Sequence, residues 1–359
     1  MKKNVFLMLC AAVLLSVACR NDEESDGRWT AEKANAWYAE QGWKSGCDYI
    51  PANAINQIEM WSSATFDPET IDKELGWAQE LGFKTMRVFL SSVVWQNEPE
   101  AFKKHIDAFL TISDAHGIKP MFVFFDDCWD GESAYGVQRE PKPGVHNSGW
   151  VRDPSVAVRA DSVAMYAALE PYVKDILKTF KDDQRIFVWD LYNEPGNSSH
   201  GVSSLPLLKK VFQWAREVRP SQPLTAGLWR FRDDFQPLND FQAAHSDVIS
   251  YHCYSDPEKH LARIQELKAY GRPLICTEYM ARTQNSTFQN TLPMLKEQDV
   301  CAYNWGFVSG KTNTIFAWST PLPDVVEPEL WFHDILRQDK TPFDPEEIAV
   351  IKQVNGITR

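Results

Sequence analysis

The chain has 359 residues and a net charge of −12, with 49 acidic against 37 basic side chains. That balance disfavours a nucleic-acid partner, which needs a basic patch to meet its phosphates. Fourteen tryptophans and 13% aromatic residues are enough both for a large core and for stacking on ligands with apolar faces. Beyond Cys10 and Cys19 the cysteines are Cys47, Cys128, Cys253, Cys276 and Cys301. An odd number, placed mostly in apolar runs, excludes a disulfide framework and reads as small hydrophobes.

In chain order, Lys2 and Lys3 precede an apolar stretch, Val5 to Ala18, that is too short to span a bilayer comfortably. It ends in Leu15-Ser16-Val17-Ala18-Cys19, which resembles a bacterial lipoprotein processing site. The expectation is a signal peptide over 1–18, lipidation of Cys19 with membrane anchoring through it, and a flexible tether over 19–28. An ordinary secretory signal with an incidental cysteine is the alternative. The acidic run Asn21 to Gly27 has nothing to bury and resembles tracts that send lipoproteins to the outer cell surface. The expected location is therefore the outer membrane, surface-exposed, with the periplasmic face or a plain charged linker left open.

Residues 29–359 show no dividing linker and no repeat of fixed period, so a single catalytic domain is expected, as a monomer. A helix at 31–41 precedes the first strand, where it would flank or plug the bottom of a barrel. Short apolar segments then recur at 46–51, 84–90, 119–125, 186–192, 223–229, 247–253, 273–278 and 300–305. Continuous apolar runs of this length read as parallel strands buried on both faces. Helices alternate with them: Asp67-Pro68 opens one that Gly82 closes, Asp153-Pro154 opens a long one running to about Phe180, and a third spans 205–218 before Pro220. Eight such units predict an α/β fold, the (β/α)8 TIM barrel. A doubly wound sheet competes less well, because it would carry a Gly-rich phosphate loop. The longest irregular stretch, 126–152, is expected to wall a substrate cleft.

Two of the strands deliver a carboxylate at the point where an apolar run gives way to a loop. One ends in Asn193-Glu194-Pro195 and the other in Cys276-Thr277-Glu278. Barrel enzymes work from that face, and two facing carboxylates equip a barrel to cleave glycosidic bonds. On these motifs the chain, over roughly 43–340, resembles clan A of the retaining glycoside hydrolases, especially the family 5 cellulase and mannanase group. The resemblance implies Glu194 as acid/base and Glu278 as nucleophile. It also implies Arg87 beside the nucleophile, Asn193 on the sugar 2-hydroxyl, Tyr254 on Glu278, His252 on substrate or Glu194, and Trp305 as an aromatic platform. Mannan, xylan and glucan stay open as substrates, and so does internal or end-wise cleavage.

The third strand departs from the family pattern, ending in Phe125-Asp126-Asp127-Cys128-Trp129-Asp130 where many relatives place a His. Asp126 or Asp127 is expected to grip a sugar hydroxyl and Trp129 to form a wall. A calcium site using Asp126, Asp127 and Asp130 is the weaker alternative, since the spacing lacks a regular ligand alternation. Lys311 lies in the loop after the eighth strand, either at the mouth or merely solvated. No His-Glu-x-x-His, Cys-x-x-Cys, Gly-x-Ser-x-Gly or Walker pattern occurs, and neither a cofactor nor a metal is expected. Two rivals remain: a glycan-binding lipoprotein that does not cut, and an inverting hydrolase on the same scaffold.

Overall fold

Eight short parallel strands carry the architecture: β1 Ser45–Asp48, β2 Thr85–Phe89, β3 Lys119–Asp126, β4 Val188–Asn193, β5 Leu224–Thr225, β6 Ile249–His252, β7 Leu274–Tyr279 and β8 Cys301–Trp305. The computed structural model describes residues 27–318 and 321–357. The expected signal peptide, Cys19 and nearly all of the tether lie outside the described residues. Strand order is β5-β4-β3-β2-β1-β8-β7-β6. The remaining seam closes through a parallel bridge between Leu228 and Tyr251, with Leu228 N–H on Ser250 O and His252 N–H on Leu228 O, both 2.9 Å. This is the (β/α)8 barrel expected from the sequence. The fifth strand is shorter than its apolar run, because Ala226 N–H turns out of the ladder onto Ser246 Oγ at 3.2 Å.

Almost every strand residue is buried, which explains the unbroken apolar runs: one face meets the barrel interior and the other meets helices. Helix Ala31–Gln41 forms where expected, with Thr30 capping Lys33 N–H. It seals the bottom, where Trp29, Ala34 and Tyr38 cluster with Phe187, Val188, Val248, Ile275, Cys301 and Tyr303 from the starts of the strands. Trp37 stacks on Phe187 with ring centroids 5.0 Å apart. Helix Pro68–Glu80 has the expected start, its Asp67 carboxylate accepting from the amides of Glu69 and Thr70.

The helix expected to begin at Asp153-Pro154 does not. A single turn, Val156–Arg159, comes first, and the long helix is Ser162–Phe180, capped by Asp161. Asp153 serves a distant partner instead: its carboxylate accepts from Ser92 N–H at 2.6 Å and Ser92 O–H at 2.5 Å. It thereby ties the loop after β3 to the short helix Ser92–Asn97 that follows β2. That loop holds no helix between Asp126 and Arg152, as expected, and is pinned at its neck by Asp126–Asp153 and Asp130–Val151 bridges.

Gly46 in β1 is fixed by space. A Cβ there would lie 1.8 Å from the Thr85 carbonyl oxygen, an atom of the neighbouring strand that cannot retreat without breaking the ladder. Gly46→Ala is expected to lower stability by at least about 2 kcal/mol, as overpacking against backbone does. Thermal unfolding would read it, and a midpoint equal to wild type would refute the steric account.

Candidate active site

The C-terminal ends of the strands converge on Arg87, whose side chain is wholly buried in the barrel. Its five N–H groups are all used. Nε (3.0 Å) and Nη2 (2.8 Å) donate to Asp190 Oδ2, Nη2 also to Asn193 Oδ1 (2.7 Å), and Nη1 to Asp48 Oδ1 (2.7 Å) and Glu278 Oε1 (3.2 Å). The guanidinium thus joins β1, β4 and β7 to its own strand. Burial pushes the Asp48 carboxyl well above its usual range, against the pull of Arg87. Asp48 and Asp190 belong to this network and were missed from the sequence. A charged residue inside a doubly buried strand, Trp189-Asp190-Leu191, was the signal that could have found them.

Glu278 owes its direction to an irregularity in β7. Tyr251 pairs with Cys276 but His252 with Glu278, so Thr277 is an extra residue. Such a bulge re-aims the side chains that follow it. Glu278 Oε2 accepts from Tyr254 O–H at 2.7 Å and lies 3.4 Å from His252 Nδ1. Glu194 follows β4 with a left-handed backbone, φ +44°, unusual for a residue with a side chain and of the kind that clusters at functional sites. Its Oε1 is 2.7 Å from the same His252 Nδ1, and its Oε2 accepts from Cys128 S–H at 3.2 Å and from Asn197 Nδ2. One carboxylate oxygen of each glutamate and a ring nitrogen of His252 all lie within 4.8 Å of one another.

Electrostatics divides the two acids. Burial raises the pKa of both, and the nearby Glu194 charge raises that of Glu278 further, against the pull of Arg87. A cation and a phenol are bonded to Glu278, whereas Glu194 has only a thiol, an amide and an imidazole. These partners favour the ionised form of Glu278 more directly than that of Glu194. Burial drops His252 to about 4, so the ring is neutral and the contact of its Nδ1 with Glu194 is a hydrogen bond rather than an ion pair. Glu194, His252 and Glu278 have the separation of metal ligands, but the Arg87 charge bonded to Glu278 opposes a cation there.

A cavity of about 960 Å³ opens over this cluster, lined by Asn193, Glu194, His252, Tyr254, Glu278, Trp129 and Trp305 among the expected residues. Arg87 stands behind it. Two expectations are corrected. Asp126 is buried, its oxygens taken by Cys128 N–H (2.9 Å), Asn193 Nδ2 (2.8 Å) and Trp150 Nε1 (2.7 Å). Asp127 is buried too and accepts from Tyr192 O–H (2.8 Å), Gly196 N–H (2.8 Å), Ser204 O–H (2.5 Å) and Arg159. Neither lines the cavity, and both hold the loops that do. Asp130 turns away to Arg139 at 2.6 Å, so the three aspartates form no common site. Lys311 is engaged with Glu59 at 2.6 Å and does not line the cavity. Conversely, Cys128 is no mere core filler, and Asn197, Trp229, Phe231 and Trp318 line the cavity from loops without any motif to mark them.

Solved structures share this fold at low identity. The GH5_18 protein from Streptomyces cattleya, a variant in complex with Manb1-4GlcNAc, is 15% identical, with 87% of this chain and 80% of that chain covered at a TM-score of 0.59. The exo-beta-1,4-mannosidase Op5Man5 from Opitutaceae bacterium strain TAV5 is 17% identical, covering 92% and 61%, with a TM-score of 0.59. The endo-beta-1,4-mannanase from Thermotoga petrophila is 13% identical, covering 87% and 77%, with a TM-score of 0.55. No curated protein sequence matches the chain. Residues 108–316 match the family described as glycosyl hydrolases family 2, TIM barrel domain. That span exceeds half of the 359 residues, and the chain belongs to this glycosyl hydrolase family.

Proposed function

We propose that this glycoside hydrolase is a retaining β-glycosidase that cleaves by double displacement, with Glu278 as nucleophile and Glu194 as acid/base. The observation that carries the reading is the closeness of the two carboxylates, one oxygen of each lying within 4.8 Å of the other. Retaining enzymes hold their carboxyl groups about 5–5.5 Å apart, and inverting enzymes about 6.5–9.5 Å, to admit a water. In the first step Glu278, kept ionised by Arg87 and Tyr254, attacks the anomeric carbon while Glu194 protonates the departing oxygen. Esterification removes the charge on Glu278, so the pKa of Glu194 falls at the moment it must take a proton from water. The substrate we favour is a β-mannoside chain or oligosaccharide, the class on which the Opitutaceae and Thermotoga proteins act by their descriptions. The residues themselves leave xylan and glucan types available. We also propose that the enzyme is held at the outer membrane through lipidated Cys19, which rests on the sequence pattern alone.

Three outcomes are expected. Assayed on aryl β-mannosides, β-glucosides and β-xylosides, Glu278→Gln should lose activity on all of them. Glu194→Gln should lose about 10²–10⁴-fold, and least on aryl groups that depart without a proton. Full activity in either variant would end the assignment. The pH profile should be bell-shaped, falling in acid as Glu278 takes a proton and in base as Glu194 loses one. Because the Cys128 thiol donates to Glu194 and so favours its ionised form, Cys128→Ala should move the basic limb to higher pH. An unmoved limb would deny Cys128 that influence. Finally, fatty-acid labelling should mark the full-length protein but not Cys19→Ser, and labelling of both would remove Cys19 from the account.

A further inference from the structure

The cavity is lined from the loops after β3, β4, β5 and β6, from Glu278 in β7, and from the end of β8 with its loop. Among the described residues, none from the loops after β1 and β2 reaches it. That side is nearly filled, with a space of only about 10 Å³ left among Phe89, Trp150 and Trp305, far too small for a sugar. Phe89 ends β2 and Trp305 ends β8, while Trp150 folds back from the loop after β3. Their rings meet edge to face, with centroids 5.0 Å apart for Phe89–Trp150, 5.4 Å for Trp150–Trp305 and 5.7 Å for Phe89–Trp305. Trp150 cannot swing aside cheaply, since its Nε1–H is committed to buried Asp126.

Above these rings the loops after β3 and β8 are laced together. Asn147 N–H donates to Thr312 O at 2.8 Å, Leu322 N–H to Gly144 O at 3.0 Å, and Asn313 Nδ2 to Lys142 O at 2.9 Å. The approach is closest at Gly144, where a Cβ would lie 2.0 Å from the Leu322 carbonyl oxygen. The loop after β1 joins the same wall, through Asn56 Nδ2 on Gly149 O at 2.9 Å and the Glu59–Lys311 pair. These bonds are mostly to main chain and span three loops, so the wall is continuous among the described residues. The opposite flank, beyond Glu194, is different. Trp229 and Phe231 lead there to Lys259 and Glu266, whose side chains are largely in solvent.

Resting on the retaining β-glycosidase reading, we propose that the site acts end-wise, accepting only the non-reducing terminus of a β-linked chain. The acid/base must stand beside the departing oxygen, so the leaving portion lies on the Glu194 flank, which is open. The sugar that becomes bonded to Glu278 lies against Trp305 and the wall, where a chain has no path onward. The terminal sugar is thus enclosed, while the rest of the polymer trails into solvent past Trp229 and Phe231.

The test is a product time course with wild-type enzyme on β-1,4-linked manno-, gluco- and xylo-oligosaccharides labelled at the reducing end. A matched set has a bulky substituent on the non-reducing terminal sugar. End-wise action predicts that the label stays on chains shortened stepwise from the other end, with a single small product from the first time point. The capped set should be cut at least about 100-fold more slowly. Internal fragments early in the reaction, or equal cleavage of the capped set, would overturn the inference while leaving the β-glycosidase reading intact. Failure to cut even aryl β-glycosides would instead sink that reading, and the end-wise inference with it.

Discussion

Arg87 is out of reach of water, so each of its five donors has to be answered by the protein, and the groups that answer come from three other strands. A buried guanidinium left short of even one partner is costly, which makes the convergence of Asp48, Asp190, Asn193 and Glu278 a condition of folding as well as of chemistry. The barrel ring brings these strands together, and the guanidinium fixes the angle at which their polar ends face. Glu278 inherits a set position and a positive neighbour from this arrangement before any substrate arrives.

Around that hub the polar groups form a relay of support. Asp126 steadies Asn193, Trp150 and the Cys128 amide; Asn193 meets Arg87; Cys128 and Asn197 flank Glu194; and His252 bridges toward both glutamates. Such networks act at low local dielectric, where each satisfied bond is strong and each unsatisfied one expensive. The left-handed backbone at Glu194, and at Trp129 and Met280 close to the same strand ends, is tolerated because this surrounding network determines it.

Much of this was readable in the residues. The strands announced themselves because both of their faces are buried, giving short apolar runs whose ends held Glu194, Glu278, His252 and Trp305. Local helix signals worked where the carboxylate capped its own helix, as at Asp67. They failed at Asp153, whose oxygens go to Ser92, 61 residues away. The same limit explains Asp126 and Asp127. Two consecutive aspartates where a strand ends look like ligand groups until the structure supplies Trp150, Tyr192, Arg159 and Ser204 as their partners. The aromatic residues of the cavity rim, Trp229, Phe231 and Trp318, sit in loops whose path no periodicity encodes.

The bottom seal has a consequence for how the molecule presents itself. Arg28 bonds the carbonyls of Ala243 and Ser246, and Trp29 N–H bonds Asp247, all just before β6 begins. The described chain therefore enters at the pole of the barrel opposite the sugar-facing mouth.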